Sequence, residues 1–348
     1  MIRPALTLLA IALVAVPVYL PARTSAQISI PGAETALSLA LSPQYPAPDS
    51  GVTLTLQSFL FDIDSSTVTW TVNGKVIAQG DGIKTLDVKT GPIGSKLSVV
   101  ADIAGPDGSA SAAATVIPTS IDLLWESDSY TPPFYGGRAL PSAGSRVHLV
   151  AIPHFVSANG EEIPSDRIIF TWKKDNEVLE TLSGRGKSSA TIEGPSLFGT
   201  ETVVVDASAV DGSIAGQALV RIPDTEPLLT LYENHPLFGV LYHRALDASA
   251  FVPENEVSFT AVPYFVSAAS QNDASLQYEW RVNQNLVATN PERRNEITIN
   301  AASSTGLIAL INLSLTHSSN YFLNAAGSWS VTFNKSGSFG PAGDVFHQ

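Results

Sequence analysis

The chain has 348 residues, 19 basic and 32 acidic side chains for a formal charge of −13, and no cysteine. That length suits two or three domains, and the absent thiols exclude cysteine catalysis, zinc–thiolate sites and iron–sulfur clusters. The acidic balance, with no basic patch along the chain, repels phosphate backbones and excludes nucleic acid as a partner.

The first 26 residues are punctuated like an export signal. Arg3 precedes an apolar run from Ala5 to Leu20, Pro21 breaks it, and Thr24-Ser25-Ala26 places small residues where a signal peptidase cuts. Cleavage after Ala26 is expected, because the run is shorter than the ~20 residues that span a bilayer. An uncleaved N-terminal tether is the alternative. No later segment is long and apolar enough to span, so the cleaved chain is expected to be exported, extracellular or at the cell surface, with no membrane span. It would then carry 17 basic against 32 acidic residues, a net −15. Exported eukaryotic β domains are commonly stapled by disulfides, so a cysteine-free chain points to a bacterium.

Residues 27–34 read as a linker, and three related copies follow at 35–118, 119–223 and 224–336, before a tail at 337–348. Trp70, Trp172 and Trp280 sit in matching surroundings: TVTWTVNGKVIAQG, IFTWKKDNEVLETL and QYEWRVNQNLVATN. Three positions after each Trp stands a turn former, Asn73, Asp175 or Asn283, and beyond it an apolar pair, Val76-Ile77, Val178-Leu179 or Leu286-Val287. Alternating β-branched and aromatic residues around such a turn predict a β-hairpin, whose inward Trp anchors a sandwich core. A period near 100 residues is one β-sandwich, so the expected fold is all-β, with three tandem Ig-like sandwiches. Asp107-Gly108 and Asp211-Gly212 each turn between the last two strands of a copy, and those copies close at Ile117-Pro118 and Ile222-Pro223. Proline suits such strand ends, and the domain limits are placed there. The third copy is expected to make a longer excursion, THSSNYFLNAAGSWSVTF, before its last strand.

The stretch SPQYPAPDSGVTLTLQSFLFDIDSSTVTWTVNGKVIAQGDG resembles the opening of bacterial exported Ig-like and PKD-type β-sandwich repeat domains. The resemblance covers the first copy and, in the others, mainly the Trp hairpin. Gly80-Asp81-Gly82 comes later than in the PKD pattern, so the broader Ig-like description fits better. Such domains serve as spacers, adhesins and binding modules, which implies a structural or interaction role.

Copies two and three carry an insertion after their first strand, YTPPFYGGRALP at 130–141 and PLFGVLYHRALD at 236–247. Rich in Pro, Gly and aromatics, both read as ordered loops. Tyr130, Phe134, Tyr135 and Arg138, with Phe238, Tyr242 and Arg244, form the candidate binding set. In one reading Tyr130, Phe134 and Tyr135 wedge against the preceding domain and stiffen a rod. In the other, the insertions form an exposed patch for cell-envelope or extracellular proteins or glycans, as in an adhesin.

Catalytic constellations are missing. The six histidines form no metal-binding pair, and neither a nucleophile elbow nor a phosphate loop occurs, so no enzyme is expected. His148 and His154 read as strand surface, and Glu161-Glu162 as a solvated loop. Calcium is the one cofactor with a candidate site, Asp62 and Asp64 in FDIDSST; two carboxylates fall short of its six to eight oxygens, and an Asx turn is the competing reading. The sequons at Asn312 and Asn334 carry little weight in a bacterium.

Overall fold

The computed structural model describes residues 37–157, 159–301 and 308–333. The expected signal segment, the linker, the tail and the Asn334 sequon lie outside these. Among the described residues there are 24 strands, one 3-10 turn at Ser165–Arg167 and no α-helix, as the absence of any sustained 3.6 period predicts.

Two compact units divide the chain, one built on Leu54–Leu86 and Ser98–Ala114, the other on Leu41–Thr53, Asp87–Leu97 and the described residues from Thr115 on. The first copy supplies β1 (Leu37–Ser42), β2 (Gly51–Ser58), β3 (Thr67–Val72), β4 (Lys75–Asp81), β5 (Thr85–Lys89), β6 (Leu97–Gly105) and β7 (Gly108–Val116), in sheets of order β1-β2-β5 and β4-β3-β6-β7. In the first unit Leu54, Leu56, Val68, Trp70, Ala101 and Ile103 are buried.

The second copy supplies β8 (Ile121–Ser127), β9 (Arg146–Pro153), β10 (Ile168–Lys174), β11 (Glu177–Val178), β12 (Gly184–Arg185), β13 (Ser189–Glu193), β14 (Thr200–Ala209) and β15 (Ala215–Pro223). Its sheets run β8-β9-β13 and β11-β10-β14-β15, with β12 also on β10. Phe155, Phe170, Trp172, Val205 and Ile222 fill the core. The third copy supplies β16 (Leu228–His235), β17 (Gly239–Ala245), β18 (Ser249–Val252), β19 (Glu256–Tyr264), β20 (Leu276–Val282), β21 (Asn285–Val287), β22 (Glu296–Asn300), β23 (Ile308–His317) and β24 (Asn324–Phe333). Its sheets run β17-β16-β19-β22 and β18-β24-β23-β20-β21, over a core containing Phe259, Trp280, Leu315 and Phe333. In each copy the first, second and fifth strands of a common seven form one sheet, and the other four form the second. That is the Ig-like sandwich, in tandem.

The Trp hairpin has the same construction three times. Trp70, Trp172 and Trp280 are fully buried, and each indole N–H donates to a carbonyl further along the chain, of Ile83, Lys187 or Arg294, at 2.9 Å. Burying an indole without that partner would be unfavourable. The turns place Asn73-Gly74, Asp175-Asn176 and Asn283-Gln284 at positive φ, the twisted two-residue type that suits a hairpin. The first turn residue also exchanges hydrogen bonds with the neighbouring strand. Asn73, Asp175 and Asn283 donate their N–H to Ser98, Thr202 and Leu310, and their side-chain Oδ1 accepts those residues' N–H at 2.9–3.0 Å. Only a short side chain that tolerates the left-handed region and ends in an acceptor does both.

The apolar pair after the turn lies on a sheet-edge strand: Val76, Ile77, Val178 and Leu286 are exposed, while Leu179 and Val287 pack against their cores. Two expectations change. The 236–247 insertion is not a loop but largely strand β17, paired to β16 across a bulge. The excursion of the third copy shrinks to the loop 318–323 between β23 and β24.

Candidate functional site

Tyr130, Phe134 and Tyr135 pack on the third copy, and not on the preceding domain as the wedge reading required. Tyr130 donates its backbone N–H to Val266 at 2.7 Å and accepts from Phe265 N–H at 2.8 Å, a single antiparallel bridge. Phe265 is a buried non-glycine residue at φ 60°, a strained conformation this bridge helps to hold. The Phe134 ring lies 4.5 Å from Tyr242 and edge-on to Tyr232 at 6.0 Å. The Tyr135 ring meets Tyr264 at 5.9 Å and Phe265 at 5.6 Å, both edge-on, and Tyr232 and Tyr264 share a hydroxyl hydrogen bond of 2.9 Å. The two insertions therefore meet, Phe134 from one against Tyr242 from the other.

Burial raises the Tyr264 hydroxyl well above the usual phenol range, and its hydrogen bond with Tyr232 adds to the shift. Tyr130 is raised by burial and then by nearby Tyr242, and Tyr242 by burial, Tyr232 and Glu296. Asn320, in the loop between β23 and β24, completes the junction by donating its amide to the Ala143 carbonyl at 2.7 Å. Gly144 is required beside it: its φ is +83°, and a Cβ there would lie 2.5 Å from the Asn320 amide nitrogen.

The other candidate residues are dispersed. Arg138 lies over the Trp125 ring, 3.6 Å from its centre, a cation–π contact within the second copy. Phe238 stacks on His235 at the exposed tip before β17, and Arg244 is exposed on that strand. Asp62 accepts the Asp64 N–H at 3.1 Å, an Asx turn, while Asp64 pairs with Lys84 at 2.7 Å. Among the described residues no group of three acidic or histidine side chains gathers where a metal ion would sit. His148 and His154 contact Thr191 and Asp122 on the surface.

Two hollows flank the junction. One, of about 960 Å³, is lined by Asp128, Arg146, Lys174, Glu201 and Phe322 among others. Four of its charges are paired, Arg146 to Asp128 at 3.0 Å and Lys174 to Glu201 at 3.3 Å. Burial raises the Glu201 carboxyl, as does its hydrogen bond with Asp175, while Lys174 opposes the shift. The other hollow, of about 250 Å³, shares Ala143, Leu197 and Phe322 with the first and adds Phe198, Asp224 and Glu226. None of Phe198, Asp224 and Phe322 stands out in the sequence. Leu-Phe-Gly at 197–199, an aromatic beside glycine between two strands, is the one local signal.

No protein-family model and no curated protein matches the chain. Among solved structures it is similar to the three N-terminal domains of the bacteriophage RB49 highly immunogenic outer capsid protein, at 16% identity over 86% of this chain and 98% of that one, with a TM-score of 0.23. The central fibronectin-III array of RIM-binding protein aligns at 11% identity over 86% and 97% of the two chains, TM-score 0.31. The fibronectin(III)-like modules of Clostridium thermocellum CbhA align at 15% over 61% and 94%, TM-score 0.21.

Proposed function

We propose that the chain is a non-enzymatic, exported bacterial protein of the surface or extracellular space. It works as a structural and interaction module whose domain limits fall at Pro118 and Pro223, with the second and third sandwiches stiffly joined. The observation that carries this reading is the aromatic junction of Tyr130, Phe134 and Tyr135 with Tyr232, Tyr242, Tyr264 and Phe265. Inter-domain contacts within a chain usually leave motion free. Here rings with few rotamers to lose fasten two sandwiches, and prolines at 132 and 133 reduce the freedom of the free loop. Stiffness is what a spacer needs and an enzyme of this fold would not. No helix among the described residues is long and apolar enough to cross a membrane.

Small-angle scattering tests the stiff joint. Replacing Tyr130, Phe134 and Tyr135 together by Ser should broaden the distribution of intramolecular distances while tryptophan emission shows each sandwich folded. An unchanged distribution overturns the stiffening role.

A further inference from the structure

We propose that the groove beside the junction binds a neutral saccharide, with Asp224 as hydroxyl acceptor and Phe198 and Phe322 as stacking platforms. Phe198 is 79% exposed and Phe322 63% exposed, and both line the 250 Å³ hollow. Phe198 also has φ 59°, the left-handed region that a bulky side chain avoids. The conformation is held deliberately: the Phe198 N–H donates to Asp224 Oδ2 at 2.8 Å, and the Asp224 N–H donates to Gly199 O at 2.9 Å. A strained backbone that lifts a large apolar ring into solvent stabilises nothing in the fold, and such strain collects at binding sites.

The second oxygen of the same carboxylate points the same way. Asp224 Oδ1 is buried and has no hydrogen-bond partner, an arrangement that folded proteins avoid unless something else supplies the donor. A ligand that satisfies it must bring a donor, and one that covers Phe198 and Phe322 must bring apolar faces. A pyranose has both, hydroxyls at its rim and C–H groups on its faces. An apolar peptide would leave the carboxylate oxygen unpaired. A calcium ion would need more oxygens than Asp224 offers, with no third acidic or histidine partner gathered there among the described residues. The hollow adjoins the one of about 960 Å³, with Ala143, Leu197 and Phe322 lining both. The larger alone exceeds one sugar and lies at the upper end of ordinary ligand sites, about 300–1,000 Å³. An oligosaccharide therefore fits better than a monosaccharide, and the chain's net charge of −13 favours a neutral one.

This inference rests on the interaction reading but is tested apart from the stiff joint. The full chain is run by native electrophoresis through gels holding soluble β-glucan, starch, mannan, galactan or xylan. The expected result is retardation by at least one, persisting in high salt, and weakened at least ten-fold in Phe198→Ala, Phe322→Ala and Asp224→Asn. Phe198→Gly is the sharper variant: relieving the positive φ should raise the melting temperature while abolishing retardation. No retardation in any gel overturns the proposal, as does retardation that all four variants retain or that high salt removes. Calcium binding by calorimetry that Asp224→Asn abolishes, without polysaccharide retardation, would make it a cation site. None of these outcomes touches the scattering result on which the stiff joint stands.

Discussion

Trp172 shows how much one residue decides. It is fully buried, its indole satisfied by Lys187 O, so Trp172→Ala removes both a large packed surface and a hydrogen bond. The expected loss is about 3–5 kcal/mol by denaturant unfolding. Asp175 is a different kind of anchor, since its side chain is held at the turn by geometry. Asp175→Ala forces a Cβ residue without an acceptor into the left-handed region at φ 48°, and should cost about 1–2 kcal/mol. Asp175→Gly loses the same side-chain bonds, to Thr202 N–H and to Glu201, but relieves the backbone, so its loss should be the smaller in the same measurement. These residues were legible in the sequence because their reasons are local: a Trp, three positions, a turn former. Leu124 was not. It lies on the first strand of its copy, as Leu231 does of the third, yet it is exposed while Leu231 is buried. A one-residue slip in a strand exchanges its two faces.

Among the elements, the related insertions diverge most. Both contain Arg-Ala-Leu and both return to the first strand of their sheet, Ala139 O accepting from Ser127 N–H and Leu246 N–H donating to Leu231 O. Between those points one stays irregular and the other becomes β17 on the edge of β16; β8 is a sheet edge too, but Pro132, Pro133, Gly136 and Gly137 suit a strand poorly. Sequence composition marks both as ordered but cannot tell loop from hairpin, nor that Tyr135 finds Tyr264 across a stretch of unrelated chain. The phenols give this junction a pH response. Tyr264 is raised when folded, so its neutral form contributes stability that is fully present below the unfolded value of about 10 and is lost as pH rises above it. Unfolding free energy should fall as pH rises above about 10, and fall less in Tyr264→Phe, which has no proton to lose there. Equal slopes in urea titrations of the two proteins would remove Tyr264 as the cause.

At the scale of the molecule, the second and third sandwiches lie in one compact unit, though each has its own core. Residues 115–333 should therefore unfold in one calorimetric transition, and Tyr135→Ser should split it in two, because the shared rings couple cores that are otherwise separate. A single transition in the variant would show that the coupling runs elsewhere. The third sandwich has one further feature. β18 runs parallel to β24, pairing Ser249–Val252 with Ser330–Phe333, whereas among the described residues β7 and β15, the last strands of the first and second copies, end their sheets. Under tension along the chain, paired strands that slide past each other load all their rungs at once, while strands that peel apart yield one rung at a time. β18 thus makes the third sandwich the mechanical clamp of the chain, and a pulling experiment should find it the last to give way.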